Sequence, residues 1–411
     1  MKTEITELIE NIPLDMLSAS EQLQDLMADS IRAAGGWVSF DKWMAQALYT
    51  PKLGYYSGLY GIGEGADFIT APEISPLFSQ VVARQLLPVL SSLKLLSADS
   101  ELSILEFGAG SGVMAADILL ELERCGELPQ SYKIIELSAA LRSRQQQTLK
   151  ERAPHLLQRV EWLNELPEEP FNGVVIANEV MDAIPFERFV IRDGRAVALG
   201  VGLKCSADES GESEQCILAL QENPAALLSP SLLSDNEIDE ISVEGYSSEL
   251  RPALSGWINS IADTLHSGMV LLLDYGYSRK EYYRPERSSG SLSCFYRHHQ
   301  HTDALVIPGL QDITAHVDFT AVAEAADEAG LRVAGFSSQS YFLLAGGIAQ
   351  LAEEELAKYG DDDLRQRLKV SQAIQQLTLP AQMGEVVKVM GLTKNVDLPE
   401  TFTQHDILYT L

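Results

Sequence analysis

Four short runs of nearly unbroken apolar residues constrain the fold more than any other feature of this 411-residue chain. They are Ser103-Ile104-Leu105-Glu106-Phe107, Tyr132-Lys133-Ile134-Ile135-Glu136, Gly173-Val174-Val175-Ile176-Ala177-Asn178 and Met269-Val270-Leu271-Leu272-Leu273-Asp274-Tyr275. A strand that alternates apolar and polar residues has one wet face. A strand apolar throughout is covered on both faces, as in a parallel sheet packed between helices. The segments between the runs are long enough for such helices, so the chain reads as α/β from about residue 101. Residues 318–329, stopped by Gly330, fit a further crossover helix. Residues 332–339 and 341–345 are expected as two closely spaced strands, an antiparallel pair at the sheet edge.

Either side of this core the pattern changes. A helix beginning at Ser20-Glu21-Gln22-Leu23 carries Leu23, Leu26, Met27 and Ile31 at helical spacing and ends at Gly35-Gly36. Residues 49–76 are turn-rich, with Gly54, Gly58, Gly61, Gly63, Gly65 and Pro72; Tyr55, Tyr56, Tyr60 and Phe68 favour an ordered loop. The expected organisation is a helical and Gly-rich cap at 1–100, a sheet domain at 101–346 and a helical tail at 347–411, broken near Met390-Gly391-Leu392. Two insertions interrupt the sheet domain. Residues 204–249 are acidic and polar, as in a solvated hairpin or loop; residues 276–312 are dense in aromatics and Arg, as in an ordered lid.

Composition narrows the function. Thirty Lys+Arg against 59 Asp+Glu leave a net charge of −29, which argues against nucleic-acid or anionic-membrane binding. It suits solubility or a cationic partner. The four cysteines (Cys125, Cys205, Cys216, Cys294) form no C-x-x-C pair, so neither a disulfide framework nor a zinc site is expected, and a reducing compartment is. The acidic N-terminal residues 1–7 lack the features of a signal peptide or a mitochondrial presequence. The most apolar long stretch, residues 81–96, contains Arg84, Pro88 and Lys94 and is no membrane span. A cytoplasmic protein without membrane insertion is expected.

The sharpest local motif is Glu106-Phe107-Gly108-Ala109-Gly110-Ser111-Gly112, where a first strand hands over to a first helix. Small residues at that handover let a backbone approach a ligand closely, or simply pack a tight turn. A dinucleotide fold requires G-x-G-x-x-G, and here the third glycine comes one residue early. The variant suits a ligand without a pyrophosphate, such as S-adenosylmethionine. Glu106 is placed to favour its ammonium, and Glu136, ending the next strand, to accept from its ribose hydroxyls.

The segment from Glu64 to Glu73, with Asp67, Phe68, Thr70, Ala71 and Pro72, followed by Ser75-Pro76-Leu77-Phe78, resembles the hallmark loop of the MidA-like methyltransferases. These are relatives of the mitochondrial complex I assembly arginine methyltransferase. Further blocks agree in order: 105–112, Glu136-Leu137-Ser138, 178–185, Asp274-Tyr275-Gly276-Tyr277, Tyr296-Arg297-His298 and 308–319. Ala66 departs from the family's Gly-Asp-Phe triplet. The resemblance implies a class I (Rossmann-like) methyltransferase fold, a seven-stranded, mostly parallel sheet with one antiparallel edge strand. It also implies S-adenosylmethionine as donor, S-adenosylhomocysteine as product and, for the eukaryotic branch, symmetric dimethylation of a protein arginine. The acceptor would then be a respiratory-complex subunit or another basic segment.

Methyl transfer needs its nucleophile held in line with the methyl group, and a guanidinium needs carboxylates to hold it. Glu179 and Asp182, just past the strand ending at Asn178, are the expected clamp, with Asn178 touching the donor. The competing reading has Glu179 flanking a helix start and Asp182 paired with Arg188. Asp67, Thr70 and Glu73 form a second polar set, and His316 is a candidate for proton removal. Arg297-His298-His299-Gln300-His301 has no acid or Cys at a helpful spacing, so no metal is expected. Two other functions stay open: a non-catalytic S-adenosylmethionine-binding assembly factor, and a small-molecule N- or O-methyltransferase. The acids at 106, 136, 179 and 182 favour an enzyme, and the polar lid favours a polar acceptor.

Overall fold

The apolar runs do pair with one another. The computed structural model describes residues 12–58, 70–96, 101–207, 214–226, 228, 241, 243–360 and 363–411. Its main sheet is built from seven strands, numbered here along the chain: β1 Leu102–Phe107, β2 Ser131–Ile135, β3 Val160–Leu163, β4 Phe171–Asn178, β5 Leu265–Tyr277, β6 Arg332–Ser338 and β7 Val387–Lys394. Their spatial order is β6-β7-β5-β4-β1-β2-β3. The ladders from β5 to β3 are all parallel, whereas β7 runs antiparallel to both β5 and β6. A two-residue strand, Val317–Asp318, adds a parallel pairing at the end of β5. Every residue of β1 is buried, as an unbroken apolar run requires.

Three sequence expectations change here. The antiparallel strand is one place in from the edge, and it comes from the supposed helical tail. Met390-Gly391-Leu392 is the middle of β7, not a break: Gly391 pairs with Gly335 of β6. A Cβ at either glycine would collide with Phe402, so the two together make room for that ring. Residues 341–345, expected as a strand, belong to the helix Gln339–Ala345, which buries Phe342 and Leu343.

The chain divides into two compact units. The unit holding the sheet takes its described residues from Ile69–Asp182, Leu254–Arg279 and Val317–Leu411. The expected boundaries near residues 100 and 346 therefore both fall inside it. Its core joins Phe78 and Leu86 of helix Pro76–Leu96, Ile118 of helix Val113–Arg124, and strand residues such as Ile104, Val174 and Leu271.

The other unit takes its described residues from Met1–Phe68, Ala183–Ala253 and Lys280–His316. Helix Leu14–Ala33 buries Leu23, Met27 and Ile31, one face at steps of four, and Gly36 closes it with a 2.8 Å bond to the Ile31 carbonyl. Leu26, expected on that face, is exposed. An antiparallel sheet of Trp37–Ser39, Arg195–Ala207, Glu187–Arg192 and Ser247–Leu250 packs with Phe40, Trp43 and Phe186. Within the expected acidic insertion, Glu214–Asn223 pairs antiparallel with Arg195–Ala207, while its most acidic run, 208–213, lies outside the described residues. Cys205 and Cys216 face each other across it and are joined by a disulfide, which corrects the expectation of unbonded cysteines. In the expected lid, Tyr296 and His299 pair across a two-residue turn at Arg297-His298, both with positive φ.

Candidate active site

Register brings the expected acids to one edge of the sheet. Phe107 of β1 pairs with Ile135 of β2 and Ala177 of β4, and Asn178 of β4 pairs with Leu273 of β5. Glu106, Glu136, Glu179 and Asp274 therefore sit at the carboxyl ends of four adjacent parallel strands, where open α/β sheets bind ligands. The Gly loop leaves β1 at the same edge. Gly108, Gly110 and Gly112 all have positive φ, and the Gly108 N–H donates to the Ile135 carbonyl at 3.0 Å. Gly108 and Gly110 are exposed, and a Cβ added to Gly110 would meet nothing within 4 Å. Gly112 lies against the backbone of Gln145, 2.9 Å from where its Cβ would stand. The first two glycines therefore leave open surface, and the third packs a helix.

Glu106 is 2% exposed and accepts a 2.8 Å hydrogen bond from the Tyr132 hydroxyl. Burial pushes its carboxyl up to about 7; Tyr132 opposes the rise and the nearby Glu136 adds to it. Burial also raises Glu136, against the bonds it accepts from the Ser138 N–H (2.8 Å) and the Gln145 side chain (2.9 Å). Gln145 is fully buried and joins three parts of this edge. Its Nε2 donates to Glu136 and to the Gly110 carbonyl, and its Oε1 accepts from the Trp162 indole at 2.9 Å.

The acid-bearing loop after β4 has a different support. The Glu179 N–H donates to the Leu273 carbonyl at 2.8 Å. One oxygen of Asp274 accepts from the backbone N–H of Val180 (3.2 Å), Met181 (2.8 Å) and Asp182 (3.2 Å). Glu179 has φ of +53°, a conformation that side-chain-bearing residues adopt rarely, and its carboxylate accepts from Asn178 at 3.3 Å. Burial, and then the charges of Glu179, Asp182 and Asp274, push the Tyr275 hydroxyl far up. Three carboxylates thus share the surroundings of one phenol.

The remaining expected residues do not join this group in the same way. Thr70 is half-buried before the short helix Ala71–Ile74, and its carbonyl accepts from the Glu73 N–H. Asp67 lies outside the described residues. His316 belongs to the other unit, where its N–H donates to Ser291 at 3.0 Å and its carbonyl accepts from Arg251. Burial, then Arg287 and Arg251, push its imidazole down to about 4. Among the described residues no group of three His, Cys, Asp or Glu has the geometry of a metal site.

Small exposed glycines and buried carboxylates thus share this edge. A family of S-adenosyl-L-methionine-dependent methyltransferases matches residues 81–337, more than half of the chain. The chain belongs to this family. A crystal structure of a superfamily member from Burkholderia thailandensis, bound to S-adenosyl-homocysteine, is 36% identical with a TM-score of 0.86, covering 97% of this chain and 99% of that one. The mitochondrial protein arginine methyltransferase NDUFAF7 homolog of Drosophila melanogaster is 26% identical over 404 residues, 92% of this chain and 87% of that protein. The Rattus norvegicus NDUFAF7 is also 26% identical, over 91% of this chain and 85% of its own. The methyltransferase fold, the enzyme class and the donor implied by the motif resemblance are therefore established. The cytoplasmic expectation is corrected: the fly, rat and human relatives are all named as mitochondrial proteins. No helix among the described residues is long and apolar enough to cross a membrane.

Proposed function

We propose that this methyltransferase modifies a guanidinium nitrogen of an arginine in a basic segment of a protein, with Glu179 and Asp182 as the acceptor clamp. The observation that carries the reading is that Glu179 and Asp182 stand on one short loop past the end of β4, whose backbone N–H groups are held by Leu273 and the carboxylate of Asp274. Two carboxylates on one loop favour a cation, and a guanidinium can take bidentate bonds from carboxylates. The relatives named as protein arginine methyltransferases point the same way.

When bound, the donor supplies an electrophilic methyl group on a sulfonium. Glu106, Glu136, Asn178, Thr70 and the Gly108–Gly112 backbone hold it in this reading, Glu106 toward its ammonium and Glu136 toward its ribose. Glu179 and Asp182 draw the guanidinium's charge away from the attacking nitrogen, whose lone pair then forms the new N–C bond as the S–C bond breaks. The bonding pair stays with the sulfur, and the product nitrogen gives up one proton to solvent water. His316, pushed down to about 4, is a poor base at neutral pH and is given no part in that transfer.

The test incubates the enzyme with deuterated-methyl donor and a panel of basic peptides, each with a lysine-for-arginine counterpart. Mass spectrometry should place label on arginine only, and Glu179→Gln should keep donor affinity while losing transfer. Label on the lysine peptides, or full turnover by E179Q, would refute the clamp.

A further inference from the structure

We infer that Asp274 is a positioning residue for methyl transfer, holding the acid-bearing loop in the one backbone shape that presents Glu179 and Asp182. The inference rests on the clamp reading and deepens it. Its basis is an accounting of the loop's backbone donors. Leu273 and Asp274, consecutive residues of β5, together take all four N–H groups from Glu179 to Asp182. Three of these converge on a single carboxylate oxygen, while the other oxygen accepts the N–H of Tyr275 at 2.8 Å. Asp274 is fully buried, so these bonds are made away from bulk water, where charge-assisted bonds are strong.

The shape so held is an uncomfortable one. Glu179 sits at φ of +53°, where a glycine would fit without penalty. Glycine is the usual occupant of that conformation, and most of the described positive-φ positions hold it. An acid in that conformation is understandable when the carboxylate itself is needed and the surroundings can hold the strain. Asp274 supplies the holding. It is separated from the loop by more than ninety positions in sequence and reaches it only because β4 and β5 are neighbours. Convergent N–H groups on one oxygen form an anion nest, and here the anion belongs to the protein.

The test is Asp274→Asn, which keeps size and shape but replaces one acceptor by a donor. S-adenosylhomocysteine affinity by calorimetry should stay within about 3-fold, because Glu106, Glu136 and the Gly loop make no bond to Asp274 and Asn178 stays in its ladder with Leu273. Turnover on the basic peptide panel should fall on the order of 10- to 100-fold, with acceptor KM raised. Hydrogen exchange at the amides of Val180, Met181 and Asp182 should accelerate together. A merely structural aspartate would multiply its loss with that of E179Q, whereas a positioning residue acting through Glu179 and Asp182 makes the combined loss in D274N/E179Q smaller than the product of the two single losses.

Unchanged exchange at the three amides, unchanged turnover, or multiplicative losses would each overturn the inference. Should E179Q turn over normally, the Glu179 clamp fails by itself. Asp274 then still stands as the loop's positioning residue if D274N is slow and its three amides exchange faster, and falls if D274N is normal. Where D274N does not fold, exchange in the wild-type enzyme decides: three amides protected as a group support the inference, and rapid exchange at all three removes it.

Discussion

Replacing Glu106 by glutamine should stabilise the fold and weaken donor binding at once. The carboxyl rises from an ordinary 4.5 to about 7 because folding strips it of water, with only the Tyr132 hydroxyl in partial return. At about 1.4 kcal/mol per pH unit, ionised Glu106 costs the folded state about 3 kcal/mol above pH 7. The folded carboxyl holds its proton more tightly than the unfolded one. The stabilising proton is therefore present below about pH 4.5 and lost as the pH rises through about 7. Glutamine has nothing to ionise and can still accept from Tyr132. In urea denaturation, E106Q should exceed wild type by about 3 kcal/mol near pH 8.5 and by only about 1 kcal/mol near pH 5.5. Calorimetry with S-adenosylmethionine should show the opposite sign: loss of a charge-assisted bond worth about 1.5–3 kcal/mol lowers affinity roughly 10- to 100-fold at pH 8.5. Wild-type affinity should rise as the pH passes upward through about 7, and the variant's should not. An E106Q protein that is less stable at pH 8.5, or binds the donor as tightly as wild type, would refute the argument.

Gly110→Arg should cost on the order of 1–2 kcal/mol, since its Cβ meets nothing but its φ of +52° suits glycine, and should lose donor binding by at least about 100-fold in the same titration, because the side chain fills the surface the glycine leaves open. Gln145→Ala removes a fully buried link between Glu136, the Gly110 carbonyl and Trp162; denaturation should show a loss of about 1–3 kcal/mol, and donor affinity should drop about tenfold. His316→Asn should leave the position of any ionisation between about pH 6 and 8 in the kcat profile unmoved, because His316 itself titrates near 4; a shift would restore it as the base. Phe402→Ala should destabilise by about 3–5 kcal/mol, since the ring fills the hollow left by Gly335 and Gly391, with donor affinity retained in the folded fraction.

What the sequence disclosed and what it hid differ in physical kind. The strands, the Gly loop and Glu106 or Glu136 were legible because each is a local pattern: an apolar run, a glycine spacing, an acid at a strand end. Gln145 stood within reach of the same reasoning. It shares a stripe at steps of four with Leu141 and Leu149, and a polar residue on such a stripe has an assignment to fulfil inside the protein. Its neighbours Gln146 and Gln147 disguised it as surface. Gly391 was misread for a related reason, since a glycine that opens space for a distant ring looks the same as one that ends an element.

The Cys205–Cys216 bond depends on the register of two consecutive strands, and the hold of Asp274 on the 179–182 loop on which distant strands become neighbours, and neither leaves an apolar or glycine pattern in the sequence. The two acids proposed as the clamp stand out in sequence as a pair just past a strand end, while the bonds that support them do not. Glu179 in a glycine-like conformation is the structural trace of that support: a strained acid persists only where something over-determines it, and the search for what does so leads across β5 to Asp274.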